Sequence, residues 1–300
     1  MSTKPKRKLS REEQLVLAEK GLYAFIVLGL IGNIVLFYFI YKSFSAKPHT
    51  NQLRLVAWNV ESGGNDPNLI AEQIKYFSDY DVIGLNEVNS KNVEKYVKAL
   101  GPQFQSFTSK TGGADRLAIL FDKTRFELLE QKEMGKYRDW EFSKNTFQRS
   151  PIYLRLKDRE SGFEFVFMTN HLIRGKSEVR QEQARGLREW ARDSQMPIIA
   201  IGDFNFDYSF NNQEGNKAFN LFMKDGVWKW IRPKEEIDSN WSDRNKDGVD
   251  DYPDSMLDFA FVANGAKDLK CECEIVVREG DFPSDETKSD HRPTVLVVEL

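Results

Sequence analysis

An α/β fold of two packed sheets with helices outside is the architecture that this 300-residue chain predicts. Short runs rich in Val, Ile, Leu and Phe alternate with segments of helical period, and several strand-like runs cluster in mid-chain with no helix between them. Many of those runs also end in a polar cluster, as strands do where open α/β folds build their sites.

Leu53 to Val60 alternates and then turns polar, a strand ending at Asn59. Pro67 opens a helix that runs to Phe77, since Pro is favoured in a first turn. Asp81 to Val88 reads as a buried strand ending at Glu87, and Ser90 is the expected cap of a helix from Lys91 to Leu100. Strand-like runs follow at Arg116 to Asp122, Phe126 to Glu133, Ile152 to Lys157 and Phe163 to Asn170. Glu178 to Ser194 sets Ala184, Leu187, Trp190 and Ala191 at helical spacing, with Trp190 assigned to the core. Pro197 starts a strand ending at Asp203. In Lys270 to Val277 the alternation puts Cys271 and Cys273 on one strand face, a spacing too strained for a disulfide, so both read as small packing residues.

A 40% hydrophobic composition is enough for one large core, and a single domain of about 250 residues is reasonable. A net charge of −3 lacks the basic footprint of a tight, sequence-independent DNA binder. It leaves room for a nuclease, because Arg116, Arg149, Arg174 and Lys176 can line a groove on an acidic protein.

The first 52 residues form a separate unit. Gly21 to Tyr41 is apolar except for Asn33, enough at about 1.5 Å per residue to span a hydrocarbon core of roughly 30 Å. Tyr23, Tyr38 and Tyr41 lie near its ends, where aromatic anchors prefer the interface. A signal peptide's apolar region is shorter, about 7–15 residues, and Ser43-Phe44-Ser45-Ala46 is a poor cleavage pattern. An uncleaved signal anchor is therefore expected, with a basic cytoplasmic segment 1–20, a transmembrane helix 21–41, a linker 42–52 and a catalytic domain 53–300. Lys4, Lys6, Arg7, Lys8, Arg11 and Lys20 precede the span, which places the domain outside the cytoplasm, periplasmic or extracellular.

The polar clusters carry the chemistry. In order they are Trp58-Asn59-Val60, Asn86-Glu87-Val88, Asn170-His171-Leu172, Gly202-Asp203-Phe204-Asn205, Leu257-Asp258-Phe259 and Ser289-Asp290-His291. Each alone is weak, but six in this order make the region from Leu53 to Leu300 resemble the endonuclease/exonuclease/phosphatase superfamily, which includes deoxyribonuclease I, exonuclease III and the neutral sphingomyelinases. The resemblance implies a four-layer α/β/β/α sandwich. Hydrolysis of a phosphodiester needs charge neutralised, water activated and the leaving oxygen protonated. Hard oxygen ligands suit Mg²⁺ or Mn²⁺, and no Cys/His cluster of zinc spacing competes.

Carried over residue by residue, the resemblance makes Glu87 the principal metal ligand, with Asn59 and Asp290 beside it. Asp203 would orient or deprotonate the attacking water, and Asn205 would hydrogen-bond the phosphate. His291 would face the phosphate with Asp258 as its carboxylate partner, while His171 would bind phosphate or assist the leaving group. Arg149, in Arg149-Ser150-Pro151, matches a phosphate-contacting Arg of some members.

A separate run, Asp243 to Asp254, follows a calcium-loop pattern. Asp243, Asn245, Asp247, Asp251 and Asp254 supply oxygens, Gly248 allows the sharp turn and Val249 offers its carbonyl, so a structural Ca²⁺ is expected there, the alternative being a solvated acidic loop.

Three functions follow from these readings. The first is a membrane-anchored, metal-dependent nuclease on DNA or RNA. The alternative is a phosphoesterase of phospholipid head groups or small phosphates, sphingomyelinase-like. The third, a catalytically silent interaction module, is disfavoured by the intact polar set. Trp228, Trp230 and Trp241 are expected to pack their loop down rather than contact substrate.

Overall fold

The computed structural model describes residues 51–61, 63–145, 147–243, 245, 247–278 and 288–300. The predicted span 21–41, its basic flank and most of the linker lie outside the described residues. Among the described residues no helix is long and apolar enough to cross a membrane.

Two six-stranded sheets pack face to face. The first contains β1 (Gln52–Asn59), β2 (Val82–Val88), β3 (Phe104–Thr108), β4 (Arg116–Asp122), β13 (Cys271–Ile275) and β14 (Thr294–Glu299), in the order β13-β14-β1-β2-β4-β3. The second contains β5 (Phe126–Glu133), β8 (Ile152–Asp158), β9 (Glu164–His171), β10 (Ile198–Ser209), β11 (Trp228–Trp230) and β12 (Ser255–Ala263), in the order β11-β12-β10-β9-β8-β5. A short ribbon, β6 (Lys136–Tyr137) with β7 (Trp140–Glu141), stands apart. Four α-helices are described: α1 (Pro67–Ile74), α2 (Val93–Leu100), α3 (Ser177–Asp193) and α4 (Lys217–Met223).

Strand alternation sorts the side chains into layers. Leu53, Leu55 and Ala57 of β1 join Ile199 and Ile201 of β10 in the core between the sheets. Val56 and Trp58, on the other face of β1, meet Ile70 and Ile74 of α1 and Tyr96 of α2. On the outer face of the second sheet, Ile198 and Ala200 meet Ala184, Leu187 and Ala191 of α3. The result is helix, sheet, sheet, helix, as the resemblance implied. Burial on both faces explains why these strands read as almost continuous apolar runs.

Two parallel pairs position the site. β1 runs parallel to β2 through α1, and β9 runs parallel to β10 through α3, so Asn59, Glu87 and His171 arrive at strand ends, with Asp203 beside His171 within β10. β12 is antiparallel to β10 with Asp258 opposite Asp203, and the turn before β14 brings His291 to the same end. Gly202 is required here: a Cβ would stand 2.5 Å from the Asn170 carbonyl oxygen.

Two details differ from the sequence reading, and the cysteines follow it. Ser90 does not cap α2; Asn92 holds the N-cap position, with no side-chain bond. The Asn89 carboxamide instead accepts from the Lys91 N–H at 3.1 Å, a local turn that delays the helix by two residues. β10 continues past Asp203 to Ser209, with a register shift against β12 between Asp203 and Tyr208. The cysteines are free and share a core face with β14, as alternation requires.

Candidate active site

The polar residues of the six motifs meet in one site. Asn59 is the link: its Nδ2 donates to Glu87 Oε1 and to Asp203 Oδ2, both at 3.2 Å, while its Oδ1 accepts from the Glu61 N–H at 3.1 Å. Glu87 and Asn205 hold left-handed φ values of 53° and 50°, a conformation that side chains rarely adopt and that clusters at functional sites.

The acidic side of the site holds Glu61, Glu87 and Asp290. The Asp290 N–H donates to Glu61 Oε2 at 3.1 Å, so the two carboxyl-bearing turns are tied together. Burial, then repulsion from Asp290 and Glu87, pushes Glu61 up to about 7. Burial also raises Glu87, against the opposing pull of Arg149, and raises Asp290. Three partly desolvated carboxyl groups, with Asp290 raising the pKa of both glutamates, are a donor set for a hard divalent cation, which would remove the conflict. The residues present therefore fit Mg²⁺ or Mn²⁺. Glu61 went unnoticed in the sequence reading, although its position two residues past Asn59 was the available signal.

The tightest grouping of ligand-type atoms is a different one. Asp203, Asp258 and His291 bring one atom each within 4.8 Å of the others, and all three are buried. That trio also offers donors to a metal, yet His291 Nδ1 is already 2.8 Å from Asp258 Oδ2. Burial works against a charged His291, but Asp258, Asp290 and Asp203 outweigh it and hold its pKa well above the ordinary value. An imidazolium between carboxylates already balances their charge, so this trio is better suited to holding and moving a proton than to ligating a cation. His291 Nε2 points into the site, 3.9 Å from Asp203 Oδ2 and 3.9 Å from Asp290 Oδ1.

His171 is the opposite case. Burial first, then Arg149, His291 and Arg174, drive its pKa well below the ordinary value, so it stands neutral. Its Nε2 lies 3.2 Å from an Arg149 amino nitrogen and 3.3 Å from Asp203 Oδ2, and its Nδ1 lies 3.6 Å from Glu87 Oε1. With Arg149 donating to Nε2, the ring proton sits on Nδ1 toward Glu87. Burial, followed by repulsion from Asp258, raises the pKa of the neighbouring Asp203. One fold thus holds a charged and a neutral histidine within one site.

Asn205 is brought in, but its Nδ2 donates to the Leu172 carbonyl at 2.9 Å, bracing the ends of β9 and β10. Asn86 does comparable work across the sheets: its Oδ1 accepts from the Asp203 N–H at 3.0 Å and its Nδ2 donates to Thr169 Oγ1 at 3.3 Å. Ser239 braces the proton relay, its Oγ accepting from the N–H groups of Leu257 and Asp258 while its carbonyl accepts from Arg292 N–H. Neither Asn86 nor Ser239 was assigned a role from sequence, because bracing depends on contacts that spacing does not encode. Trp228 is buried and Trp230 half-buried in the aromatic cluster of the second sheet, as expected.

Comparison with known proteins follows the same lines. Residues 56–291 match the model of the Endonuclease/Exonuclease/phosphatase family. No curated protein matches by sequence. Among solved structures, Bacteroides thetaiotaomicron mannosyl-6-phosphatase Bt3783 is 18% identical with a TM-score of 0.61, covering 83% of this chain and 100% of that one. The human Nocturnin catalytic domain with bound sulfate is 18% identical with a TM-score of 0.61, covering 83% and 95%. D. rerio TDP2 complexed with single-strand DNA product is 18% identical with a TM-score of 0.62, covering 83% and 99%. At this identity the likenesses are of fold.

Proposed function

Because the chain belongs to the endonuclease/exonuclease/phosphatase family, we propose that it is a divalent-metal-dependent phosphodiesterase acting on nucleic acid. The observation that carries this reading is the pairing of an acidic cluster (Glu61, Glu87, Asp290) with the Asp258–His291 proton relay around Asp203.

Glu87 and Asp290, with Asn59 and Glu61 at their side, would hold Mg²⁺ or Mn²⁺. The ion supplies charge neutralisation at the phosphoryl oxygens when bound. Arg149 and the His291 imidazolium present positive groups to an anionic phosphate. Asp203, with its raised pKa, is suited to orient an attacking water and take its proton. Neutral His171 bridges Arg149 and Asp203 and keeps both in place.

A nucleic-acid substrate is favoured by the TDP2 relative, which holds a single-strand DNA product. The membrane anchor at 21–41, an exported domain at 53–300 and a structural Ca²⁺ in the Asp243–Asp254 loop belong to the same proposal. In that loop Asp243 accepts from the N–H groups of Asp247 and Gly248, and Asp247 accepts from Val249, while Asn245 and Asp247 are hydrogen-bonded to each other. Ca²⁺ binding there predicts a higher melting temperature on adding Ca²⁺ and a lower one with EGTA; no change would remove the ion from the account.

The functional test offers supercoiled DNA and sphingomyelin vesicles to the full chain with Mg²⁺, with and without EDTA. Nicking that EDTA abolishes is the expected result. Vesicle hydrolysis without nicking would move the assignment to a lipid phosphodiesterase.

A further inference from the structure

Arg174 lies three residues beyond His171 and is exposed. Its guanidinium stands 5.0 Å from the centre of the Tyr252 ring, and among the described residues no carboxylate pairs with it. Its neighbours are otherwise committed: Arg180 pairs with Asp207, and Arg149 reaches Asp115 at 3.8 Å. The Arg174 carbonyl accepts from Arg180 Nη1 at 2.7 Å, which fixes the backbone of this turn.

Tyr252 is anchored toward the other side of the site. Its N–H donates to Asp250 Oδ1, the Asp251 N–H donates to the Ser242 carbonyl, and the Trp241 N–H donates to the Asp290 carbonyl at 2.8 Å. The Arg174–Tyr252 contact therefore joins the segment after His171 to the segment hydrogen-bonded to Asp290.

A second aromatic stands on the loop that carries Arg149. Phe147 is 78% exposed, more than any other large hydrophobic side chain among the described residues. It is presented by a turn in which Asn145 Oδ1 accepts from the Phe147 and Gln148 N–H groups. Its ring packs beside Gly113, in the turn whose Gly112 neighbours the Arg149 side chain.

We propose that Arg174 and Tyr252, with Phe147 on the Arg149 loop, form a subsite for an unpaired nucleotide adjoining the reacting phosphate. This rests on the phosphodiesterase reading and deepens it by naming the substrate as single-stranded. An uncommitted guanidinium suits a neighbouring phosphate, and an aromatic face stacks on a base only when that base is unpaired. Duplex tracking needs many cations along the backbone, and this chain carries a net charge of −3.

The test uses the full chain with Mg²⁺, comparing Arg174→Ala and Tyr252→Leu with wild type on a single-stranded oligonucleotide, its duplex and methyl p-nitrophenyl phosphate. The last has neither a base nor a second phosphate. Wild type is expected to prefer the single strand over the duplex. Tyr252→Leu should raise KM for the strand by about tenfold, in line with the worth of one stacked base, and leave kcat and the small ester unchanged, while Arg174→Ala should raise KM for the strand more than for the small ester. Unchanged KM, or equal loss on both substrates, would overturn the subsite. So would cleavage of the small ester and of sphingomyelin vesicles with the strand left intact, while the phosphodiesterase reading survived. Wild type inert toward the small ester and the strand alike would overturn both.

Discussion

His291 and His171 show how two identical side chains acquire opposite charge states from their neighbours. Asp258 at 2.8 Å keeps His291 protonated, whereas burial beside Arg149 keeps His171 neutral. Replacing His291 by Ala should lower turnover by about 10²–10⁴ with little change in melting temperature, the usual worth of a positioned acid or base. Asp258→Asn should lower the His291 pKa. If the imidazolium is the working form, activity is lost as pH rises through that pKa, so the alkaline limb of the rate profile should move to lower pH. A profile identical to wild type would show that His291 does not work as an acid. The carboxylates make a further prediction. Glu61, raised to about 7, and the likewise raised Glu87 and Asp290 bind protons in the folded chain that the unfolded chain has released. Metal-free stability from these groups is full below the unfolded pKa values and falls as pH rises through the folded ones. A bound cation displaces those protons, so the gain in melting temperature from Mg²⁺ should be larger at about pH 8 than at about pH 5. Equal gains at both would argue against these residues as the ligands.

At the scale of elements, the site depends on how closely the two sheets approach. Gly84 of β2 faces Thr169 of β9, and a Cβ there would stand 2.7 Å from Thr169 Oγ1 and 2.8 Å from its Cβ. Thr169 is fully buried and β-branched, so it has little room to turn aside. Gly84→Ala should therefore destabilise the fold by about 1–3 kcal/mol, measurable by chemical denaturation. Much of this layer was legible in the sequence. Strand identity followed from apolar runs that stop at Asn59, Glu87, His171 and Asp203, because burial on both faces leaves no other composition for them. The motifs at Asn59, Glu87 and His171 were legible for the same reason, since they mark strand ends, whereas Asp203 and Asp258 lie inside β10 and β12. Contacts between strands were not: the Asn86 bridge to Asp203 spans 117 positions, and the Ser239 brace joins a loop to β12 through hydrogen bonds that no periodicity encodes. The α2 cap was misread because Ser90, Asn89 and Asn92 are all turn formers, and the local Asn89 bond decided among them.

For the described unit as a whole, one double sheet collects side chains from both of its halves, so the site exists only when both sheets pack. The apolar run at 21–41 adds a prediction of location: the full chain should partition with membranes and resist extraction by alkaline carbonate, whereas a freely soluble product would remove the anchor from the account. The central claim is that a cation held by the acidic cluster and a proton held by the Asp258–His291 pair act together on one phosphodiester. Its most direct test is turnover of bis(p-nitrophenyl) phosphate by the full chain as Mg²⁺ is titrated, for wild type, Glu87→Gln and His291→Ala. The account predicts no turnover in EDTA, saturable recovery with Mg²⁺ in wild type, recovery only at higher Mg²⁺ in Glu87→Gln, and a low rate at every Mg²⁺ concentration in His291→Ala. Turnover that persists in EDTA, or that His291→Ala leaves intact, would contradict it.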